Sequence, residues 1–307
     1  MQRTCSIELS GPRLMSDVPR YLGNTLTPLL GGFRPQFVNL SWKHDPFTAQ
    51  STNYAIAEFI RKQSPNTELV LTLPARRFTT HAMVRETLAV ASALSLRKFL
   101  VVSGDVRSGD LGGDVPFPHA TDLLCYLSTA QFTTSIDTLM CGARPEGDVC
   151  DASSVVRRQV WLLRLKKECG VTSAISQLGL TKEMSSFNAL KSELVQSDGS
   201  DLLPLLRSVV LPLRTSRMIR TLVDLVGVDV DADLAKALAT TGSEGGGEDD
   251  AVIRAQHGVA AEQLARYWPS SGRLGNDEGG KRDQHSNHIH LFAIPGTDVA
   301  ASLKLLL

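Results

Sequence analysis

Lys98-Phe99-Leu100-Val101-Val102-Ser103-Gly104-Asp105 is the stretch on which the fold turns. Its apolar run, with two adjacent valines, suits a parallel strand covered on both faces. The run stops at a glycine and then presents a carboxylate. A helical stretch at 79–94 precedes it, and a glycine-rich loop and a second helix follow it. In a barrel built of such strand-loop-helix units the chemistry sits where the strands end, so Asp105 is the first candidate site residue.

Working outward, β-rich segments fall at 4–9, 37–42, 68–73, 135–140, 173–178, 207–211 and 288–294. Helical periodicity separates them at 14–30, 48–63, 79–94, 120–127, 153–169, 182–195 and 215–226. A short helix at 232–238, a longer one at 251–268 and a closing helix capped by Thr297 or Asp298 complete the pattern. Length alone allows one (β/α)8 barrel or two smaller domains. Eight strands in near-regular alternation with helices favour a single parallel eight-stranded barrel, a TIM barrel over 1–307. Two stretches, at about 240–250 and 269–287, are rich in Gly, Ser and charged residues and lack the apolar content to pack. They read as flexible surface insertions.

The 307 residues are 42% hydrophobic, enough for a large core, and 32 basic residues balance 32 acidic ones. Zero net charge and 6% aromatic residues point away from nucleic acid and from membrane surfaces. No apolar run reaches the ~20 residues of a membrane span, and the opening residues read as a strand, not a secretory leader. Five cysteines without CxxC spacing indicate neither a zinc site nor a disulfide framework. A reducing compartment is expected, cytoplasm or mitochondrial matrix. His285, His288 and His290 invite a metal reading, but no cysteine or carboxylate neighbour completes a ligand set, and a structural role is expected with no metal.

Aligned by strand ends, the chain resembles methylenetetrahydrofolate reductase. Ser6-Ile7-Glu8-Leu9-Ser10-Gly11-Pro12-Arg13 stands where that family opens with S-F-E-F-F-P-P-R. Ser41-Trp42 stands for its T-W, Val102-Ser103-Gly104-Asp105 for L-R-G-D, and Ile175-Ser176-Gln177 for I-T-Q. His290-Leu291-Phe292 follows the start of its last strand. The resemblance implies a barrel that holds FAD at its strand ends, takes hydride from NAD(P)H and passes it to a folate substrate. Glu8 would then be the general acid that helps open the folate ring, Asp105 would bond the pterin, and Gln177 would orient it. Ser41, Trp42, Gly104 and Lys166 would lie on the cofactor.

The departures fall on the flavin side. Ser103 replaces the R-G-D arginine, Met140 the flavin-facing tyrosine, and Gln159, Leu162 and Leu165 the polar residues of the helix that carries Lys166. Each hydrogen-bonding partner lost leaves the ligand short by about 1–3 kcal/mol, and ~1.4 kcal/mol is tenfold in affinity. The expectation is a family-like barrel with a degenerate FAD site, acting as a weakly active or non-catalytic subunit of a larger assembly with protein partners in a hetero- or homo-oligomer. Two alternatives stand beside it: an active FAD-dependent reductase with a remodelled pocket, and a non-catalytic folate or nucleotide binder. At Glu8 the plain alternative is a strand-end carboxylate that pairs across the mouth.

Overall fold

The computed structural model describes residues 4–32, 34–42, 46–104, 115–132, 135–143, 152–176, 179–181, 185–195, 202–226, 230–240, 246–267, 288–293 and 297–306. Eight parallel strands close on themselves in chain order: β1 Thr4–Ser10, β2 Phe37–Ser41, β3 Glu68–Pro74, β4 Lys98–Val102, β5 Thr138–Ala143, β6 Val171–Ser176, β7 Leu205–Val210 and β8 His288–Ala293. Between them run α1 Val18–Tyr21, α2 Thr27–Gly32, α3 Thr52–Gln63, α4 His81–Ala93, α5 Ala120–Leu127, α6 Ala152–Glu168, α7 Ser185–Glu193, α8 Ser216–Val226, α9 Ala232–Thr240 and α10 Gly246–Tyr267, and α11 Val299–Leu306 closes the chain. The (β/α)8 class read from the alternation is therefore the observed one.

Side-chain alternation along each strand divides the core. Outward residues such as Ile7, Leu9, Val38, Leu40, Leu71, Phe99 and Val101 pack under the helices in one large cluster. Inward residues from six successive strands, Phe37, Val70, Leu100, Met140, Ile175 and Leu206, form an apolar floor with Val102 packed against it. The lumen is thus filled rather than open. A third cluster, around Leu213, Ile219, Leu222, Leu234 and Val252, fastens α8, α9 and α10 to the end of β7.

Caps fix several helix starts. Ser51 Oγ accepts from Tyr54 N at 3.2 Å and Thr80 Oγ1 from Met83 N at 3.1 Å. Of the two residues proposed to cap the closing helix, Asp298 is the one that does so, its Oδ1 accepting from Ala301 N at 3.0 Å. Where the 14–30 helix was expected, Pro28 removes a backbone donor, and the segment Leu22–Leu26 between α1 and α2 widens to a π turn.

Four element starts stand out against the sequence reading. β5 begins at Thr138, because residues 135–136 close a turn whose N–H groups donate to Phe132 O. β6 and β7 each begin two residues early, at Val171 and Leu205. α10 begins at Gly246, inside the stretch read as an insertion. The other proposed insertion, 269–287, lies outside the described residues. No described helix is long and apolar enough to cross a membrane.

Candidate functional site at the barrel mouth

One sector of the lumen is polar, and it is built by β8, β1, β2 and β3 together. Pairing sets Ser6 beside His290, and Glu8 beside Asn39 on one side and Phe292 on the other. Asn39 is fully buried, and its Nδ2 donates to Glu8 Oε2 at 2.9 Å. Thr72 Oγ1 donates to Asn39 Oδ1 at 3.1 Å, which fixes the amide with its N–H pointing at the carboxylate. On the other side His290, also fully buried, brings Nε2 to 3.6 Å from Glu8 Oε2.

Ser6 Oγ lies between the two histidines, 2.7 Å from His290 Nδ1 and 3.0 Å from His288 Nε2. One hydroxyl carries one proton, so Ser6 donates to one ring and accepts from the other. Because Glu8 Oε2 is an acceptor, the favoured arrangement puts a proton on His290 Nε2, leaves Nδ1 to accept from Ser6, and has His288 donate to Ser6. Both rings stack on the floor residue Phe37, with centroids 5.9 and 5.8 Å away. The result is a continuous polar chain, His288, Ser6, His290, Glu8, Asn39, Thr72. Its most exposed member among the described residues is Glu8, whose side chain is 14% exposed.

Two buried polar atoms here have no hydrogen-bond partner among the described residues: His290 Nε2 and Ser10 Oγ, the latter two residues beyond Glu8 on the same face of β1. Leaving such groups unpaired costs about 1–3 kcal/mol each. Polar ligand atoms at the mouth would relieve that cost.

The sequence-predicted residues scatter around this centre. Glu8 is at its heart. Trp42 points outward, 7% exposed, with its ring edge-on to Phe78 at 5.1 Å. Ser41 ends β2, and its carbonyl accepts from Asn53 Nδ2 at 2.9 Å. Lys166 on α6 is buried against the barrel wall, where Nζ donates to Gly142 O at 2.8 Å. Gly104 has φ +82°, and a Cβ there would come within 2.9 Å of Pro74 Cβ, so the turn after β4 demands glycine. Just before it, Ser103 holds that turn: its carbonyl accepts from Arg76 N at 3.1 Å and its Oγ from Ala120 N at 3.4 Å. Asp105 and Gln177 lie outside the described residues, as does His285.

Ser176, in the I-T-Q position, has a structural task. β6 and β7 pair at only two positions, Ala174 with Leu205 and Ile175 with Leu206. Ser176 Oγ accepts from Ser208 N at 3.0 Å, and Ser208 Oγ donates to Ser176 O, so two serines extend that sparse seam. Sequence reasoning missed Ser6, Asn39 and Thr72. Their signal was period-two alternation on strands already identified: each is a polar residue on the inward face of an otherwise apolar strand.

A model of methylenetetrahydrofolate reductase matches residues 1–265. The chain belongs to the methylenetetrahydrofolate reductase family. The matched span carries seven of the strands, while β8, with both histidines of the polar chain, lies beyond it. Among curated proteins no sequence relative matches. Among solved structures the chain is similar to an uncharacterised Clostridium thermocellum protein that binds two copies of 5-methyl-5,6,7,8-tetrahydrofolic acid. The two share 9% identity at a TM-score of 0.64, over 99% of this chain and 93% of that one. It is also similar to dihydropteroate synthase from Xanthomonas albilineans in complex with 7,8-dihydropteroate, at 10% identity and a TM-score of 0.45, over 99% and 91% of the two chains. At 9% identity the likeness to the Clostridium thermocellum protein shows the fold alone, and it is the family match that establishes kinship.

Proposed function

We propose that this member of the methylenetetrahydrofolate reductase family binds a reduced folate at the barrel mouth, and that Glu8 is the group through which it meets the pterin. The observation that carries the reading is the carboxylate itself. It is held by Asn39 on one side, faced by a buried histidine on the other, and open to solvent only at the mouth. A carboxylate in a largely dry pocket suits either of two tasks, accepting the N–H donors of a pterin or delivering a proton to a ring nitrogen. The neighbouring Ser10 Oγ, without a hydrogen-bond partner among the described residues, supplies a further polar atom for the same ligand. That the Clostridium thermocellum barrel binds 5-methyltetrahydrofolate supports the substrate class. Asp105, which follows Gly104, and Gln177, which follows Ser176, remain the proposed pterin-binding partners.

The family uses FAD, and two features of the described residues support a flavin site that departs from the family manner. Trp42 is committed to Phe78 and Lys166 to the Gly142 carbonyl, so two of the four residues assigned to the cofactor face elsewhere. No step here therefore runs through a flavin or through NAD(P)H. With a folate bound, Asn39 would orient the Glu8 carboxylate, and the Ser6 hydroxyl would fix the tautomer of His290 so that a proton stands toward Glu8. This supports a folate-binding barrel of weak or no reductase activity, and we propose beside it the role of a subunit in a larger assembly.

Calorimetric titration of the purified chain with 5-methyltetrahydrofolate tests it. One-to-one or two-to-one binding is expected, weakened about tenfold or more in Glu8→Gln, which removes a charge-assisted contact. Absence of binding by the wild type overturns the folate reading. Flavin absorption at one equivalent in the purified protein overturns the flavin-free reading and leaves the active reductase in its place. A native mass in cell extract equal to one chain counts against the subunit role.

A further inference from the structure

Outside the lumen, one pair of reactive side chains meets with no part in the site just described. Cys125 lies in the last turn of α5 and is exposed; Cys169 follows the end of α6 and is 8% exposed. They are 44 residues apart in sequence, yet their Sγ atoms stand 2.6 Å apart. That is about half an ångström beyond a disulfide bond of ~2.05 Å, so the two sulfurs are already within reach of each other.

We propose that Cys125 and Cys169 form a reversible disulfide that braces α5 to α6. The exposed Cys125 reacts first, since burial and the neighbouring Cys125 and Glu168 push the Cys169 thiol up to about 12. With a small-molecule disulfide as oxidant, the Cys125 thiolate attacks one sulfur of that disulfide, which forms a mixed disulfide and expels one thiolate. Cys169 then gives up its proton to solvent and attacks Cys125 Sγ, expelling the second thiol. Two protein thiols are oxidised and one external disulfide is reduced to two thiols, so electrons and protons balance.

The position of the pair says what the bond would change. Helices of a (β/α)8 barrel run against their strands, so the carboxyl ends of α5 and α6 lie at the face opposite the mouth, where residues serve stability rather than chemistry. The bond would close a loop containing β5 and α6. It is expected to raise the melting temperature and to leave the mouth unaltered.

The test is incubation of the full chain with oxidised glutathione, followed by alkylation under denaturing conditions and peptide mass mapping. The expected result is a Cys125–Cys169 cross-linked peptide, reversed by dithiothreitol, with a melting temperature roughly 5 °C higher that is absent in Cys125→Ser. Calorimetric folate binding is expected to be the same in both redox states, so this outcome is independent of whether the mouth binds folate. Three results overturn the proposal: Cys125 stopping at the glutathione adduct with Cys169 free, a disulfide that instead involves Cys5, Cys141 or Cys150, or no reaction of the folded chain.

Discussion

Asn39→Leu is the most informative single change, because Asn39 holds both neighbours of the polar chain and is itself fully buried. Leucine is close in size, so the cavity contribution is small and the cost is one of hydrogen bonding. The Thr72 hydroxyl, 5% exposed, loses its acceptor, and an unpaired buried hydroxyl costs about 1–3 kcal/mol. Glu8 loses a donor at 2.9 Å, but its side chain is 14% exposed and water can replace part of that bond, so this loss is nearer ~1 kcal/mol. The sum is a destabilisation of about 2–4 kcal/mol in urea unfolding, with an unchanged denaturant slope. Adding Thr72→Val removes the orphaned hydroxyl and should recover about 1–2 kcal/mol, so the double mutant is more stable than the sum of the singles predicts. A cost of Asn39→Leu below about 0.5 kcal/mol, or strict additivity in the cycle, would refute the description of these residues as one buried network.

Buried thiols set the alkaline limit of stability: burial lifts Cys5 from the usual 9.0 to about 12, and burial lifts Cys141 to about 11 although Lys166 beside it pulls the other way. Above pH 9 the unfolded chain releases these protons while the folded chain keeps them. Stability is therefore unaffected below that point and falls by up to about 1.4 kcal/mol per pH unit per thiol as pH rises toward 11–12, with a shallower slope in Cys141→Ala. Gly104→Ala should cost about 2–3 kcal/mol, from the left-handed backbone and the contact with Pro74, and a neutral result in the same unfolding assay would show that the turn after β4 can rebuild. Lys166→Met should destabilise by about 1–2 kcal/mol through the unpaired Gly142 carbonyl and leave folate affinity within about twofold; a tenfold loss in calorimetry would return Lys166 to the ligand site.

The architecture was legible because each strand announces itself twice, by apolar content and by the helix that follows. Phe99-Leu100-Val101-Val102 could not be exposed on either side, and eight such units leave little but a closed barrel. Boundaries slipped where backbone geometry decides them. Ser135 and Ile136 look like strand residues and are held in a turn by Phe132 O. At the site, Glu8 was recognisable from its motif, but the neighbours that define its environment were not, since Asn39 and Thr72 become partners only when β1, β2 and β3 curve into one wall. His288 and His290 stood out in the sequence, while what joins them, Ser6, is more than 280 residues away. Trp42 and Lys166 matched family positions by letter, and only tertiary packing reveals that their side chains serve the wall. The nearness of Cys125 and Cys169 had no sequence signal, because no spacing rule links a helix's last turn to the end of the next helix.

Because β8 contributes both histidines and docks against β1, the polar sector comes into being only when two strands far apart in the chain meet. During synthesis Glu8 on β1 is therefore made long before the strand that walls it on the other side. Occupancy by ligand would therefore report that the ring of strands has closed, and a product lacking β8 would be invisible to it however well the first seven strands had collapsed.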